Sequence, residues 1–321
     1  MPQDKKPAIL VLGKLPEVAQ RFADSCTVLA TNRNTLTDTL HEQGPQVRLL
    51  ATRGGVTIDD ALLARLPQLE IIAGYGVGYD SIDAVAAARR GIVVTNTPDV
   101  LNEEVADLTV GLLLATVRRL PQADRYIRSG QWLQGAFPLA PSLRDRRIGL
   151  VGMGRIGKAI ARRLAAFDLP LAYHSRQPQA DVPYPYYADL LALAAAVEVL
   201  IVVVPGGSAT QHLINAAVLA ALGPQGILIN VARGSVVDET ALVDALVNGH
   251  IQAAGLDVFA REPHVPAALL TLDNVVLTPH IGSGTDYTRA RMSDLLLDNL
   301  ASWLAGKGPL TPVAETPWPR G

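Results

Sequence analysis

Cysteine is almost missing from this chain: its 321 residues include only Cys26. That excludes an internal disulfide framework, offers no cysteine spacing for a metal site, and fits a reducing cytoplasm. Aromatic residues are also scarce, at 5% against 49% hydrophobic overall, so Ala, Val and Leu must dominate the packing. No run of basic residues occurs and the formal net charge is −2, which argues against nonspecific nucleic-acid binding. No stretch approaches about 18 uninterrupted apolar residues, and the N-terminal MPQDKKPAILVLG lacks an apolar signal core. The expectation is a soluble cytoplasmic protein with no membrane partner.

What the chain does contain is alternation. Its length suggests about two domains. Short runs rich in Ile and Val alternate with longer amphipathic segments, the pattern of parallel sheets covered by helices. Strands are expected at Ala8–Leu12, Thr27–Ala30, Arg48–Ala51, Glu70–Ala73 and Ile92–Val94. A second series is expected at Ile148–Val151, Leu169–His174, Val199–Val204, Ile227–Val231, Ala253–Val258 and Val275–Leu277. Two series imply two α/β lobes. Between them Glu103–Leu120 reads as one long helix, with Asn102 as its N-cap and acids in its first turn. Residues 121–145, with Trp132, Phe137 and three prolines, are poorly periodic and suit a linker or an arm packed on another subunit. Arg289–Leu304 is again helical, and the proline-bearing Gly306–Gly321 should be extended.

The strand Ile148–Val151 runs into Gly152, Gly154 and Gly157, at G-x-G-x-x-G spacing ahead of a helical pattern. The first glycine permits the tight turn, the second lets backbone amides approach a pyrophosphate, and the third lets helix and sheet pack closely. The helix N-terminus then offers free N–H groups, here those of Arg155 and Ile156, to the anion. A dinucleotide site is expected, which makes the second series the cofactor lobe. About 20 residues on, an NAD site would place an acid at the end of the next strand. Here that strand ends in His174, Ser175 and Arg176. A carboxylate would repel a 2′-phosphate, whereas an arginine fork and a hydroxyl suit one, so NADP(H) is expected in preference to NAD(H).

Three loops after cofactor-lobe strands carry conspicuous polar residues: Arg233 in NVARGSVVDETAL, Asp257, Arg261 and Glu262 in GLDVFAREP, and His280 in TPHIGSGT. An arginine, a carboxylate and an imidazole are what reduction of a 2-oxo acid requires. Arginine can hold carboxylate and carbonyl oxygens, histidine can donate the proton, and glutamate can hydrogen-bond the imidazole and raise its pKa. In the other lobe the glycine-rich Gly74–Gly78 can present successive N–H groups to an anion. Arg53 is a supporting candidate beside it.

In six ordered blocks the sequence resembles the D-isomer-specific 2-hydroxyacid dehydrogenase family. The blocks are GYGVGYDSID (74–83), NTPDVLNEEVADLTVGLLL (96–114), GLVGMGRIGKAIARRL (149–164), NVARGSVVDETALVDAL (230–246), GLDVFAREP (255–263) and TPHIGSGT (278–285). The resemblance implies two Rossmann-like lobes with parallel sheets. A cofactor lobe over 102–285 is inserted into a discontinuous substrate lobe built from 1–101 and 286–321, and a homodimer forms through the cofactor lobe and the 121–145 arm. It also implies that Arg233 binds and polarises the substrate, that His280 is the acid/base and that Glu262 is its partner. The amides of Val77 and Gly78 would hold the substrate carboxylate, with Tyr75 beside them. Asp257 would hold the nicotinamide carboxamide and Thr109 would touch the cofactor. Further cofactor contacts are expected at Val204, Pro205, Thr210, Val231, Ala232 and Gly282.

The expected activity is NADPH-dependent reduction of a 2-oxo acid of the glyoxylate/hydroxypyruvate type, with 2-ketogluconate close behind. Tyr75, Tyr79, Trp132, Leu133 and Phe137 leave an aromatic substrate such as phenylpyruvate open. A nucleotide-sensing interaction protein without turnover is the alternative of another class.

Overall fold

The Ile- and Val-rich runs of the first hundred residues become one parallel sheet. Residues 6–319 are described, in a computed structural model; Met1–Lys5 of the N-terminal segment and Arg320–Gly321 of the tail lie outside the described residues. The chain begins β1 (Ala8–Leu12), α1 (Pro16–Phe22), β2 (Thr27–Thr31), α2 (Leu36–Gln43), β3 (Val47–Thr52), α3 (Asp60–Leu63), β4 (Ile71–Gly74), α4 (Ala84–Arg89) and β5 (Val93–Thr95). The strands lie in the order β2-β1-β3-β4-β5. Asp59 and Asp83 accept hydrogen bonds from the first-turn amides of α3 and α4, caps worth about 1 kcal/mol each.

A second parallel sheet follows, of seven strands in the order β12-β11-β10-β9-β6-β7-β8. Its elements are α5 (Asn102–Val117), α6 (Leu120–Arg128), β6 (Ile148–Val151), α7 (Arg155–Leu164), β7 (Leu171–His174), β8 (Tyr186–Tyr187), α8 (Leu190–Ala196), β9 (Val199–Val202), α9 (Ala216–Leu222), β10 (Ile227–Asn230), α10 (Glu239–Val247), β11 (Ala253–Leu256), α11 (Ala267–Thr271) and β12 (Val275–Leu277). Apolar side chains pack on both faces, one core around Leu193, Leu219 and Leu242, the other around Leu113, Ile160 and Tyr173. On the second face α5 lies against α7, where Glu103 and Asp107 pair with Arg162 and Arg163.

The chain then returns to the first sheet as α12 (Asp286–Leu304), whose Leu296, Leu297 and Leu300 share a core with Ile9, Val11, Leu49 and Ile71. Two units result: Met1–Leu101 with Asp286–Gly321, and Asn102–Thr285. No described helix is long and apolar enough to cross a membrane.

Three elements differ from the sequence reading. The single helix expected over Glu103–Leu120 is two helices: α5 ends at Val117, Arg119 turns left-handed at φ 54°, and α6 begins with Pro121 in its first turn. Continuing α5 would press the proline ring against the carbonyl of Val117, whereas the start of a new helix tolerates it. Asn102 is the first helical residue rather than the cap. Accordingly the 121–145 segment opens as a helix, and Phe137 folds back onto it, stacking edge-on with Tyr126 at 5.3 Å. The short β8 beside β7 was not expected at all.

Candidate active site

In the second sheet the chain leaves β6 toward β7 and β8 on one side, then returns to β9 through β12 on the other. This reversal of strand order opens a crevice beyond the carboxyl ends of the strands, the usual place for a ligand in such sheets. The glycine turn stands there. Gly152 has φ +106°, and a side chain on it would come within 2.7 Å of the Val203 carbonyl oxygen beside β9. A side chain at Gly157 would overlap the Gly152 carbonyl oxygen. Gly154, by contrast, faces open space and caps α7, so the amides of Arg155 and Ile156 stand in the first turn, at the positive end of the helix. A cradle that excludes side chains at its base and is open above fits a dinucleotide pyrophosphate.

At the end of β7, the His174 Nδ1 lies 3.0 Å from the Tyr187 carbonyl oxygen, an acceptor, so Nδ1 carries the hydrogen. The Ser175 hydroxyl donates to the Gln177 carbonyl at 2.6 Å. Arg176 is exposed and makes no ion pair among the described residues. No carboxylate stands at this strand end. The neighbouring Thr210 hydroxyl donates to the Pro205 carbonyl at 2.7 Å, closing the turn after β9. Val204 is half-buried and Pro205 exposed.

Across the switch point, β10, β11 and β12 each end in a loop that carries one of the polar residues. Asn230, at the end of β10, accepts from the Ala232 N–H at 3.0 Å and donates to the Arg233 carbonyl at 3.1 Å. The buried Asn230 side chain therefore fixes the backbone from which Arg233 projects, with Val231 half-buried and Ala232 buried. Beyond β12, His280 occupies left-handed backbone at φ 53°, a conformation uncommon outside glycine and sustained only when its surroundings impose it. Asp257 imposes it. Its carbonyl accepts the His280 N–H at 2.8 Å, and its carboxylate accepts Thr278 Oγ1 at 2.6 Å and the N–H groups of Ile281 and Gly282 at 2.8 and 2.9 Å.

His280 Nδ1 then meets Glu262 Oε2 at 2.8 Å, with the side chains 44% and 35% exposed. Glu262 Oε1 accepts the Phe259 N–H at 3.1 Å. Burial pushes the Glu262 carboxyl up, but the hydrogen bonds from His280 and Phe259 and the charges of His280 and Arg233 outweigh it and hold the group below its ordinary value. An ionised carboxylate only accepts, so Nδ1 is the donor and Nε2 is the nitrogen open for proton exchange.

The structure thus brings Glu262 and His280 into contact and places Arg233 within electrostatic reach of Glu262. It gives two of the expected residues different surroundings. Thr109 is fully buried, with its hydroxyl donated to the Val105 carbonyl at 2.6 Å, and has no exposed surface with which to touch a cofactor. Asp257 is buried and mostly occupied by the loop that carries His280. Asn230 and Thr278 were not singled out from sequence; their only signal is a polar residue directly at a buried strand's end. In the first unit, the Gly76–Gly78 turn is held by Thr97 Oγ1, which accepts the Gly76 N–H at 3.0 Å, and by Asn96, which donates to the Val77 carbonyl at 2.8 Å. The Val77 carbonyl is thereby occupied and the turn held in place.

A glycine cradle at a switch point, beside a tethered imidazole–carboxylate pair, defines an α/β dinucleotide-binding domain equipped for proton transfer. The family model "D-isomer specific 2-hydroxyacid dehydrogenase, NAD binding domain" matches residues 110–282. An NADPH-dependent glyoxylate/hydroxypyruvate reductase from Sinorhizobium meliloti, solved with NADP and malonate, is 51% identical, with a TM-score of 0.92 and 99% of each chain covered. A hydroxyphenylpyruvate reductase from Plectranthus scutellarioides is 46% identical over 276 residues, 86% of this chain and 88% of the relative. A 2-ketogluconate reductase from Gluconobacter oxydans is 39% identical over 309 residues, 96% of this chain and 99% of the relative. The chain belongs to the D-isomer-specific 2-hydroxyacid dehydrogenase family.

Proposed function

We propose that the chain reduces a 2-oxo acid to the D-2-hydroxy acid with NADPH, as a glyoxylate/hydroxypyruvate reductase that also accepts 2-ketogluconate. The observation that carries this reading is the 2.8 Å contact between His280 and Glu262, on loops organised by Asp257. When bound, the cofactor supplies a hydride to the substrate C2. Arg155 and Ile156 amides receive its pyrophosphate, with Val204, Pro205, Thr210, Val231, Ala232 and Gly282 lining its path. Ser175 and Arg176 receive the 2′-phosphate, the serine exchanging its bond to Gln177 for the ligand. The Arg233 guanidinium binds the substrate and polarises its carbonyl, and the Val77 and Gly78 amides, beside Tyr75, are the carboxylate ligands that the family resemblance implies. His280 Nε2 gives its proton to the developing alkoxide, while Glu262 holds Nδ1 and orients the ring.

The test is NADPH oxidation with glyoxylate, hydroxypyruvate, 2-ketogluconate and hydroxyphenylpyruvate, repeated with NADH. Turnover of the first two with NADPH ahead of NADH supports the proposal. Nucleotide binding with no turnover of any 2-oxo acid favours a sensor instead. A preference for the aromatic acid favours a second reading, supported by the 46% identity to a hydroxyphenylpyruvate reductase.

The functional unit is proposed to be a homodimer joined through the second unit and the 121–145 segment, in the cytoplasm. Leu133 and Leu139 are 93% and 99% exposed there. Light scattering should give twice the chain mass, and Leu133→Arg with Leu139→Arg should reduce it.

A further inference from the structure

The first unit carries a pair of cations that the reaction above leaves without a task. Arg53 follows β3 and Tyr75 follows β4, neighbouring parallel strands joined at this end by the Tyr75 N–H donating to Thr52 at 2.8 Å. The Arg53 guanidinium carbon lies 4.9 Å from the centre of the Tyr75 ring. That of Arg289, in the first turn of α12, lies 5.8 Å from the same ring. The Tyr75 hydroxyl donates to the Arg289 carbonyl at 3.1 Å and fixes ring and helix together.

Neither guanidinium has a carboxylate partner among the described residues; Arg53 reaches only the Lys14 carbonyl, at 3.4 Å. An aromatic face attracts a guanidinium without neutralising its charge, so its remaining N–H groups can still grip a carboxylate. Two like charges held at one ring also repel each other, which an anion close to both relieves. Beside Arg53, the positions where Gly54 and Gly55 would carry side chains face open space.

We infer that Arg53 and Arg289, braced on Tyr75 at the carboxyl ends of β3 and β4, form an anion subsite through which the site also takes 2-oxo acids bearing a second carboxylate, beside the monocarboxylates named above. The inference rests on the reductase reading. Tyr75 opens the loop whose Val77 and Gly78 amides take the first carboxylate, so the same strand ends carry a neutral cradle for one carboxylate and a cationic pair for the other.

The experiment compares kcat/KM with NADPH for pyruvate, hydroxypyruvate, oxaloacetate and 2-oxoglutarate in the wild type, Arg53→Leu, Arg289→Leu and Arg289→Lys. Malonate and acetate serve as inhibitors. In the wild type the dicarboxylates should exceed pyruvate by about tenfold or more, and malonate should inhibit at least tenfold more tightly than acetate, as a charge-assisted contact implies. Both advantages should shrink about tenfold in the leucine variants and largely return in Arg289→Lys. Equal losses for mono- and dicarboxylates, or no dicarboxylate advantage in the wild type, overturn the subsite. If no 2-oxo acid is turned over, the reductase reading falls, but malonate binding by calorimetry still tests the subsite: an affinity unchanged in both leucine variants overturns it.

Discussion

His280 sits where three constraints meet: left-handed backbone, an N–H tied to the Asp257 carbonyl, and a ring tied to Glu262. Replacing it with alanine removes the proposed proton donor but leaves the glycine cradle untouched. Turnover should fall by about 10²-fold or more, with NADPH affinity by fluorescence titration within about threefold; retained turnover would remove His280 from its assigned role. Arg176→Ala should lower the ratio of NADPH to NADH kcat/KM by about tenfold or more, the value of a charge-assisted bond, and an unchanged ratio would move the 2′-phosphate elsewhere. The contact between Glu262 and His280 was legible because both are conspicuous polar residues in loops that follow apolar strands. Asn230 and Asp257 as loop anchors were not, because a side chain bonded to backbone up to 25 positions away leaves no periodic trace. Nor does spacing reveal that Thr109 faces inward.

At the scale of elements, buried parallel strands announce themselves as Ile and Val runs. Ala8–Leu12, Ile148–Val151 and Val275–Leu277 were therefore legible to the residue. Strand ends elsewhere drifted by a residue or two, because apolar side chains continue into loops that leave the sheet. The two-residue β8 is too short to show alternation. The break between α5 and α6 depends on a single left-handed residue, Arg119, and such a conformation has little signature outside glycine and asparagine. The glycine cradle is where pattern and packing agree most closely. Gly157→Ala sets a methyl group against the Gly152 carbonyl oxygen, so α7 must shift from β6 at a cost of about 1–3 kcal/mol. Calorimetric melting should show the loss, and NADPH affinity should fall with it; a variant as stable and as tight as the wild type would mean that α7 can move freely.

Across the whole molecule, carboxylates held below their ordinary range set the acid limit of stability. Glu198 is lowered chiefly by its hydrogen bond from Arg147. In Glu70 burial pushes upward, but the hydrogen bonds from Arg48 and Trp303 outweigh it; Glu262 is lowered against burial in the same way. Because the folded values lie below the unfolded ones, the stabilisation is present above the ordinary glutamate value of 4.5 and is lost as pH falls through the folded values. Chemical denaturation between pH 7 and 3 should show a plateau that declines only below that point, and a decline beginning above pH 6 would assign it to other groups. The return of the chain in α12 has a consequence for how the protein is made. One face of the first sheet is covered by α1 together with Leu296, Leu297 and Leu300, so during synthesis α1 alone can cover that face until α12 follows the whole of the second unit. Asn102–Thr285 is contiguous and can close earlier, so the segment made first is the one finished last, reversing the usual order of synthesis.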